Sequence, residues 1–238
     1  MSEKEHVFIT GVSKGIGKAI AELFLEQGYV VTGIGRSSSI QHEKYSFLEL
    51  DLSDRNAVES FEVPPTEAEK ILLINNAGVL GKVTKAKKLS GDDIAYVLQV
   101  NTIAPIQLSG KIAVFCGSTK EFTLVNISSG AAKKAIPGWS SYCLSKAALD
   151  SFSATFFQEE KEAGRQTRVY SVAPGVVDTA MQAQIRKLSP DDFPSVENFI
   201  ELKRSGELYT PEIVAQKLLK LLQKEYDGEI LKSLREVE

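Results

Sequence analysis

Cysteine and histidine are scarce in this 238-residue chain, which has two of each. Cys116 and Cys143 form neither a disulfide framework nor a metal-ligand spacing, so a stapled secreted scaffold is excluded and no metal site is expected. A reducing, cytoplasmic compartment is the expected home. Long apolar runs are missing too. None approaches the roughly 18 residues of a membrane span. The start, "MSEKEHVFITG", is charged and enters a strand-like run at once, so neither a signal peptide nor a membrane partner is expected. Charge of one sign is also lacking. Lys and Arg number 28 against 31 Asp and Glu, a net charge of -3 with no long basic run, which argues against nucleic acid as a partner. His6 and His42 fall at a strand start and in a charged loop, and neither is given a role.

What is present is a balanced globular composition, 43% hydrophobic and 25% charged, fitting one domain over 1–238. Short apolar runs read as strands at 6–10, 29–34, 47–50, 71–74, 123–127, 168–173 and 229–232. Most are continuous rather than alternating, as in a sheet buried on both faces. Between them, 16–27, 91–115, 141–161 and 211–226 have helical apolar spacing, the last opened by Thr210 as cap and Pro211 in the first turn. The alternation predicts an α/β, Rossmann-type doubly wound parallel sheet with helices on both faces. The least regular stretch, 178–210, lies between the last two strands and is expected to be a substrate lid.

"FITGVSKGIGKAI" follows the first strand and opens a helix. Gly11, Gly15 and Gly17 permit a tight turn and close backbone approach, and a helix N-terminus favours an anion such as a pyrophosphate. A glycine turn alone reads equally as an ordinary loop; its position after the first strand makes it a phosphate cradle. The second strand ends at Gly35 and Arg36, where a cofactor with a free ribose 2′-hydroxyl would be met by an acid. Arg36 and Lys14 suit a 2′-phosphate instead, which selects NADP(H) over NAD(H), against the plainer reading of two solvated cations. In "SSYCLSKAAL", Tyr142 and Lys146 lie four apart and so share one helix face. A lone pair of this kind is more often surface decoration.

These stretches together resemble the short-chain dehydrogenase/reductases. The resemblance rests on "TGVSKGIG" (10–17), "LDLSD" (50–54), "INNAG" (74–78), "VN" (100–101), "NISSG" (126–130), Tyr142 with Lys146, and "APGVVDT" (173–179), in family order over nearly the whole chain. It implies a seven-stranded sheet and nicotinamide-dependent carbonyl or alcohol chemistry. By position it implies cofactor contacts from Gly11, Ser13, Lys14, Gly15, Ile16, Gly17 and Arg36. Asp51 and Leu52 would meet the adenine, and Asn76, Ala77 and Gly78 the adenosine ribose side. Pro174, Gly175, Val177 and Thr179 would hold the carboxamide and neighbouring phosphate. The catalytic four would be Asn101, Ser129, Tyr142 and Lys146, with Ser129 preferred to Ser128 by its separation from the tyrosine. Tyr142 would give its proton to the carbonyl oxygen and Ser129 would hydrogen-bond that oxygen. Lys146 would bind the nicotinamide ribose and Asn101 would anchor a water. A tyrosine titrating at ~10 suits neutral chemistry poorly; a cation at about 4 Å supplies about 4 kcal/mol at an effective dielectric near 20, enough to lower it. Lys146 is expected to do so.

The C-terminal half resembles the sepiapterin reductase branch, which includes bacterial benzil reductases, most tellingly in "GVVDTAMQAQIR". That branch's pterin-gripping aspartate has no counterpart in "GEILKSL"; Lys232 or a neighbour is expected in its place. This favours reduction of a 1,2-diketone such as benzil over sepiapterin. Trp139 and Pro137 are expected to wall the substrate on one side, Met181 and Phe199 on the lid side, against plain core packing for each. A non-catalytic NADP-binding sensor is the reading from a different class, and it needs neither Ser129 nor Tyr142. Surplus apolar surface on the helices at 90–117 and 141–163 implies a homodimer, or a tetramer.

Overall fold

The computed structural model describes residues 5–237. Seven parallel strands form one sheet: β1 (Glu5–Thr10), β2 (Val30–Gly35), β3 (Tyr45–Glu49), β4 (Lys70–Asn75), β5 (Glu121–Ile127), β6 (Arg168–Ala173) and β7 (Leu231–Ser233). Their spatial order is β3-β2-β1-β4-β5-β6-β7, so the order reverses between β1 and β4. A crevice opens outside the carboxyl ends of the strands at such a switch point, and ligands bind there.

Helices cover both faces. On one lie α1 (Gly15–Glu26) and α8 (Pro211–Gln223); on the other lie α2 (Arg55–Glu59), α3 (Gly91–Leu98), α4 (Ala104–Cys116) and α5 (Ser140–Glu162). The pleat sorts the side chains. In β1, Val7 and Ile9 pack towards Ile20, Phe24, Val214 and Leu218, while Phe8 packs towards Leu108 and Ile112. That two-sided burial is why these strands read as unbroken apolar runs.

Three elements differ from expectation. The single helix expected at 91–115 is two, α3 and α4, joined by a π-helical turn at Gln99–Ile103. Pro105 has no N–H for the carbonyl of Asn101 four residues earlier, and the chain absorbs the missing bond as an extra residue in the turn. The stretch 178–210 is more regular than expected, containing α6 (Ala180–Ile185) and α7 (Val196–Arg204). Its two ends are pinned together where Val177 bridges Tyr209. Finally, β7 starts at Leu231 rather than 229. The Asp227 carboxylate accepts from the Glu229 N–H at 2.9 Å, and Gly228 adopts φ +78, so this stretch is a turn. No helix among the described residues is long and apolar enough to cross a membrane.

Candidate active site

The turn after β1 is built around glycine. Gly11 and Gly15 have φ +76 and +61, which side-chain-bearing residues rarely adopt. Gly17 is needed for space: a Cβ there would lie 2.3 Å from both the Gly11 carbonyl oxygen and Asn76 Nδ2. Asn76 comes from the end of β4 and donates to the carbonyls of Thr10 (3.0 Å) and Gly11 (3.2 Å), while Thr10 Oγ1 accepts from the N–H groups of Asn76 and Ala77, each at 3.0 Å. The two loops at the switch point are thus stitched together. Asn76 holds the glycine turn with its side-chain amide.

Helix α1 starts without a side-chain cap, for Lys14 at its N-cap makes no capping bond. Its first N–H groups are left for an anion. Ser13 and Lys14 are exposed at the turn, and Ile16 is half-buried behind it. Thr179 reaches the same turn from the far side, its methyl 3.5 Å from where a Gly15 Cβ would be, and it caps α6. Beside it Gly175 takes φ +85, and Pro174 and Val177 are buried. On the other flank, Gly11 N–H bonds the Ile34 carbonyl at 2.8 Å, which sets Gly35 and exposed Arg36 next to the turn. The Asp51 carboxyl is held below its usual range by bonds from the backbone and hydroxyl of Ser53, with Arg36 contributing. Leu52 is buried there and its carbonyl accepts from Gln99. The cradle fits a dinucleotide: a backbone a Cβ would obstruct, an uncapped helix start, and cations at one end.

The four expected catalytic residues converge. Tyr142 and Lys146 stand on the first turns of α5, 92% and 96% buried respectively. Ser129, at the end of β5, hydrogen-bonds the Tyr142 phenol. Ser128 is buried with its hydroxyl unpartnered among the described residues. The Lys146 ammonium donates to the Ile127 carbonyl at 2.8 Å and lies 5.9 Å from the Tyr142 ring centre. Asn101, fully buried in the π-turn, has its side chain clamped on Val79: Oδ1 accepts from Val79 N–H and Nδ2 donates to Val79 O, both at 2.8 Å. Its Nδ2 also donates to Ser145 Oγ, one turn along from Tyr142. Gly78 fits between them; a Cβ there would be 3.4 Å from Asn101 Oδ1 and 3.6 Å from Lys146 Nζ. A buried phenol, a serine hydroxyl and an ammonium in one dry corner can pass a proton to a carbonyl oxygen.

Comparison with known proteins agrees with this geometry. The profile of the short chain dehydrogenase family matches residues 5–189. The chain belongs to that family. This short-chain dehydrogenase is 39% identical over 228 residues to a benzil reductase ((S)-benzoin forming) of Bacillus subtilis (strain 168), covering 92% of this chain and 94% of the other. It is 33% identical to the sepiapterin reductase of Rattus norvegicus, with 91% and 90% covered. A crystal structure of a short chain dehydrogenase/reductase from Saccharomyces cerevisiae superposes with a TM-score of 0.83 at 26% identity, covering 98% and 96%. The family's members are oxidoreductases, and its fold binds a nicotinamide cofactor.

The dehydrogenase's electrostatics overturn one expectation. Tyr142 is not lowered by its lysine: burial raises its pKa, and only the Ser129 bond opposes. Lys146 is itself pulled down to about 8 by burial, with Asp150 opposing. In a dry site each charged form is disfavoured, and the ammonium is turned to Ile127 rather than to the phenol.

Lys232 is the second correction. In β7 it pairs with Val172, and its ammonium lies 2.5 Å from Asp227 and 2.6 Å from Glu229. It lines a crevice with Tyr170, Leu221 and Glu236 that holds none of the catalytic four. The repulsion of a pterin by Lys232 therefore does not operate. Arg235 instead approaches the turn at Gly175, its Nε 3.3 Å from where a Gly175 Cβ would be.

Trp139, Tyr142, Met181 and Phe199 fall in one apolar cluster with Leu80, Ile185 and Val196; Pro137 is exposed. Sequence reasoning missed the centre of this cluster. Phe193, fully buried in the 178–210 stretch, stacks on the Trp139 indole at 5.0 Å and 6°. It also missed Asp178, which pairs with Lys203 at 2.5 Å and Arg186 at 3.5 Å and so ties α7 and the end of α6 to the start of the 178–210 stretch. The aspartate was visible in "VVDT", but its partners lie 8 and 25 residues away, beyond any local pattern.

Proposed function

We propose that the chain is an NADPH-dependent carbonyl reductase that reduces one carbonyl of a 1,2-diketone such as benzil to the hydroxyketone. What carries the reading is the 39% identity to a benzil reductase along nearly the whole chain. The apolar, aromatic wall beside Tyr142 suits aryl rings, whose burial contributes roughly 25 cal/mol per Å2 without a charged partner.

In this reading bound NADPH supplies the hydride that goes to the carbonyl carbon. The Tyr142 phenol supplies the proton that goes to oxygen, so the product is a neutral alcohol. The raised pKa keeps Tyr142 protonated at neutral pH, as an acid must be. Ser129, bonded to the phenol, turns its hydroxyl to the same carbonyl oxygen. Lys146 uses one donor on Ile127 among the described residues, which leaves two for ribose hydroxyls. Asn101 positions Val79 and Ser145. Arg36 and Lys14 take the 2′-phosphate.

The assay follows the absorbance of NADPH on mixing with benzil and, separately, with sepiapterin. The expected result is the higher kcat/KM for benzil. A clear advantage for sepiapterin supports the second reading, a pterin side-chain reductase, which the 33% identity to the rat enzyme favours. No oxidation with any diketone, quinone or pterin refutes the catalytic reading and leaves an NADP-binding sensor.

The reading includes a cytoplasmic homodimer. Ile103 and Val114 on the π-turn and α4, and Leu144 on α5, are 41%, 80% and 51% exposed. Covering them with a second copy removes that surface from water. Light scattering at micromolar concentration is expected to give twice the chain mass; a monomer refutes the dimer.

A further inference from the structure

The Trp139 indole N–H is a buried donor without an acceptor. Trp139 is 93% buried, yet Nε1 meets no hydrogen-bond partner among the described residues. A buried Trp N–H normally finds one, and an orphan in a native core calls for an explanation such as an absent ligand. Its place is suggestive. The indole stands edge-on to the Tyr142 ring, centres 5.5 Å apart, so the donor belongs to the residue that flanks the phenol. Its other face lies under the lid, stacked on Phe193 and tilted against Phe199 at 5.4 Å. Gly138, φ +91, brings the two segments together; a Cβ there would be 2.7 Å from the Asp192 carbonyl oxygen.

We propose that Trp139 is a specificity-determining residue whose indole N–H donates a hydrogen bond to the second oxygen of a vicinal dicarbonyl while Tyr142 and Ser129 engage the first. This rests on the carbonyl-reductase reading. A 1,2-diketone carries its two oxygens on adjacent carbons, so one held at the phenol brings the other to the neighbouring side chain. A monoketone of the same shape fills the apolar wall and leaves the N–H unpaired. A site built to bond a polar group rejects the analogue lacking it, because its own buried group stays orphaned. The same bond survives reduction, since the hydroxyketone keeps the second carbonyl.

Trp139 is the single tryptophan of the chain, so an indole-15N-labelled sample gives one side-chain resonance from the position in question. The test uses the whole protein with NADP+, which cannot reduce the ketone, and adds benzil or deoxybenzoin, the same two rings with one carbonyl. The expected result is a downfield move of the indole proton and slower exchange with benzil, and neither with deoxybenzoin. Equal movement with both ketones, or none with benzil, overturns the proposal. In parallel, Trp139→Phe keeps the stack and removes the donor. With NADPH, its kcat/KM for benzil should fall about 10- to 100-fold and that for deoxybenzoin less than about threefold, the loss expected of one bond to a buried donor. Equal losses for the two ketones overturn the assignment and mark Trp139 as packing alone. If the parent reduces neither ketone, the diketone-reductase reading fails and this inference with it; if it reduces both and the variant shows no selective loss, only the inference fails.

Discussion

Replacing Gly17 with alanine puts a methyl group where the turn has no room. The new Cβ would sit 2.3 Å from the Gly11 carbonyl oxygen and 2.3 Å from Asn76 Nδ2. Asn76 can swing away, but its bonds to the Thr10 and Gly11 carbonyls are then lost. The Gly11 carbonyl is less free, because the neighbouring N–H is tied to Ile34 at 2.8 Å and φ is already +76. Two neutral hydrogen bonds at about 0.5–1.5 kcal/mol each, with about 1–3 kcal/mol for overpacking, sum to about 2–6 kcal/mol. At about 2–4 °C per kcal/mol for a domain of this size, Tm should fall by about 4–24 °C. The displaced backbone is also the cofactor cradle, so the Tm gain on adding NADPH should shrink as affinity drops. Gly28→Ala is the control: φ is +87 there but nothing lies within 4 Å, so only left-handed strain of about 1–2 kcal/mol is expected. Thermal unfolding of both variants, with and without NADPH, decides the matter. A Gly17→Ala fall no larger than that of Gly28→Ala, with a parent-like response to NADPH, would refute the close-packed cradle.

Tyr142→Phe should lower turnover by about 10²–10⁴-fold while NADPH still binds, since only the phenolic hydroxyl is removed and the ring stays; turnover within a few-fold of the parent sinks the acid assignment. Arg36→Ala with Gly35→Asp should reverse a preference of about 10- to 100-fold for NADPH over NADH, the worth of one charge-assisted phosphate bond. Gly35 has room for the change, its nearest neighbour 3.8 Å from a Cβ; equal affinities in the parent refute it. Acid should destabilise the fold through His6. Burial holds this ring down to about 4, with Nε2 2.7 Å from Thr32 Oγ1, so it stays neutral in the native state. The unfolded chain takes up its proton as pH falls through about 6.5, so stability is full above that and drains away towards pH 4, by at most about 3 kcal/mol. Urea unfolding of parent and His6→Gln at pH 7 and 5 measures this, and an equal loss in both removes His6 as the cause.

Much of this site is written in short stretches. Tyr142 and Lys146 meet because four residues make one helical turn, and Gly11, Gly15 and Gly17 share a turn because they span seven residues after a buried strand. A parallel sheet follows from unbroken apolar strands spaced by helices. These are local patterns, and local geometry reads them out. Pro105 was in view as well, yet the break it causes at 99–103 is one residue of extra winding, which apolar spacing does not register. Other features had no local trace. Whether Lys232 faces the substrate depended on the carboxylates of Asp227 and Glu229, which capture its ammonium. The direction of Tyr142's pKa depended on how much water the 178–210 stretch and α5 exclude, because desolvation scales with everything packed around a group rather than with its neighbour on the helix. The stack of Phe193 on Trp139 joins residues 54 positions apart through a loop. Spacing along the chain determined which chemical groups this dehydrogenase owns; only tertiary packing decided which of them are dry, which are paired, and which donor is left waiting.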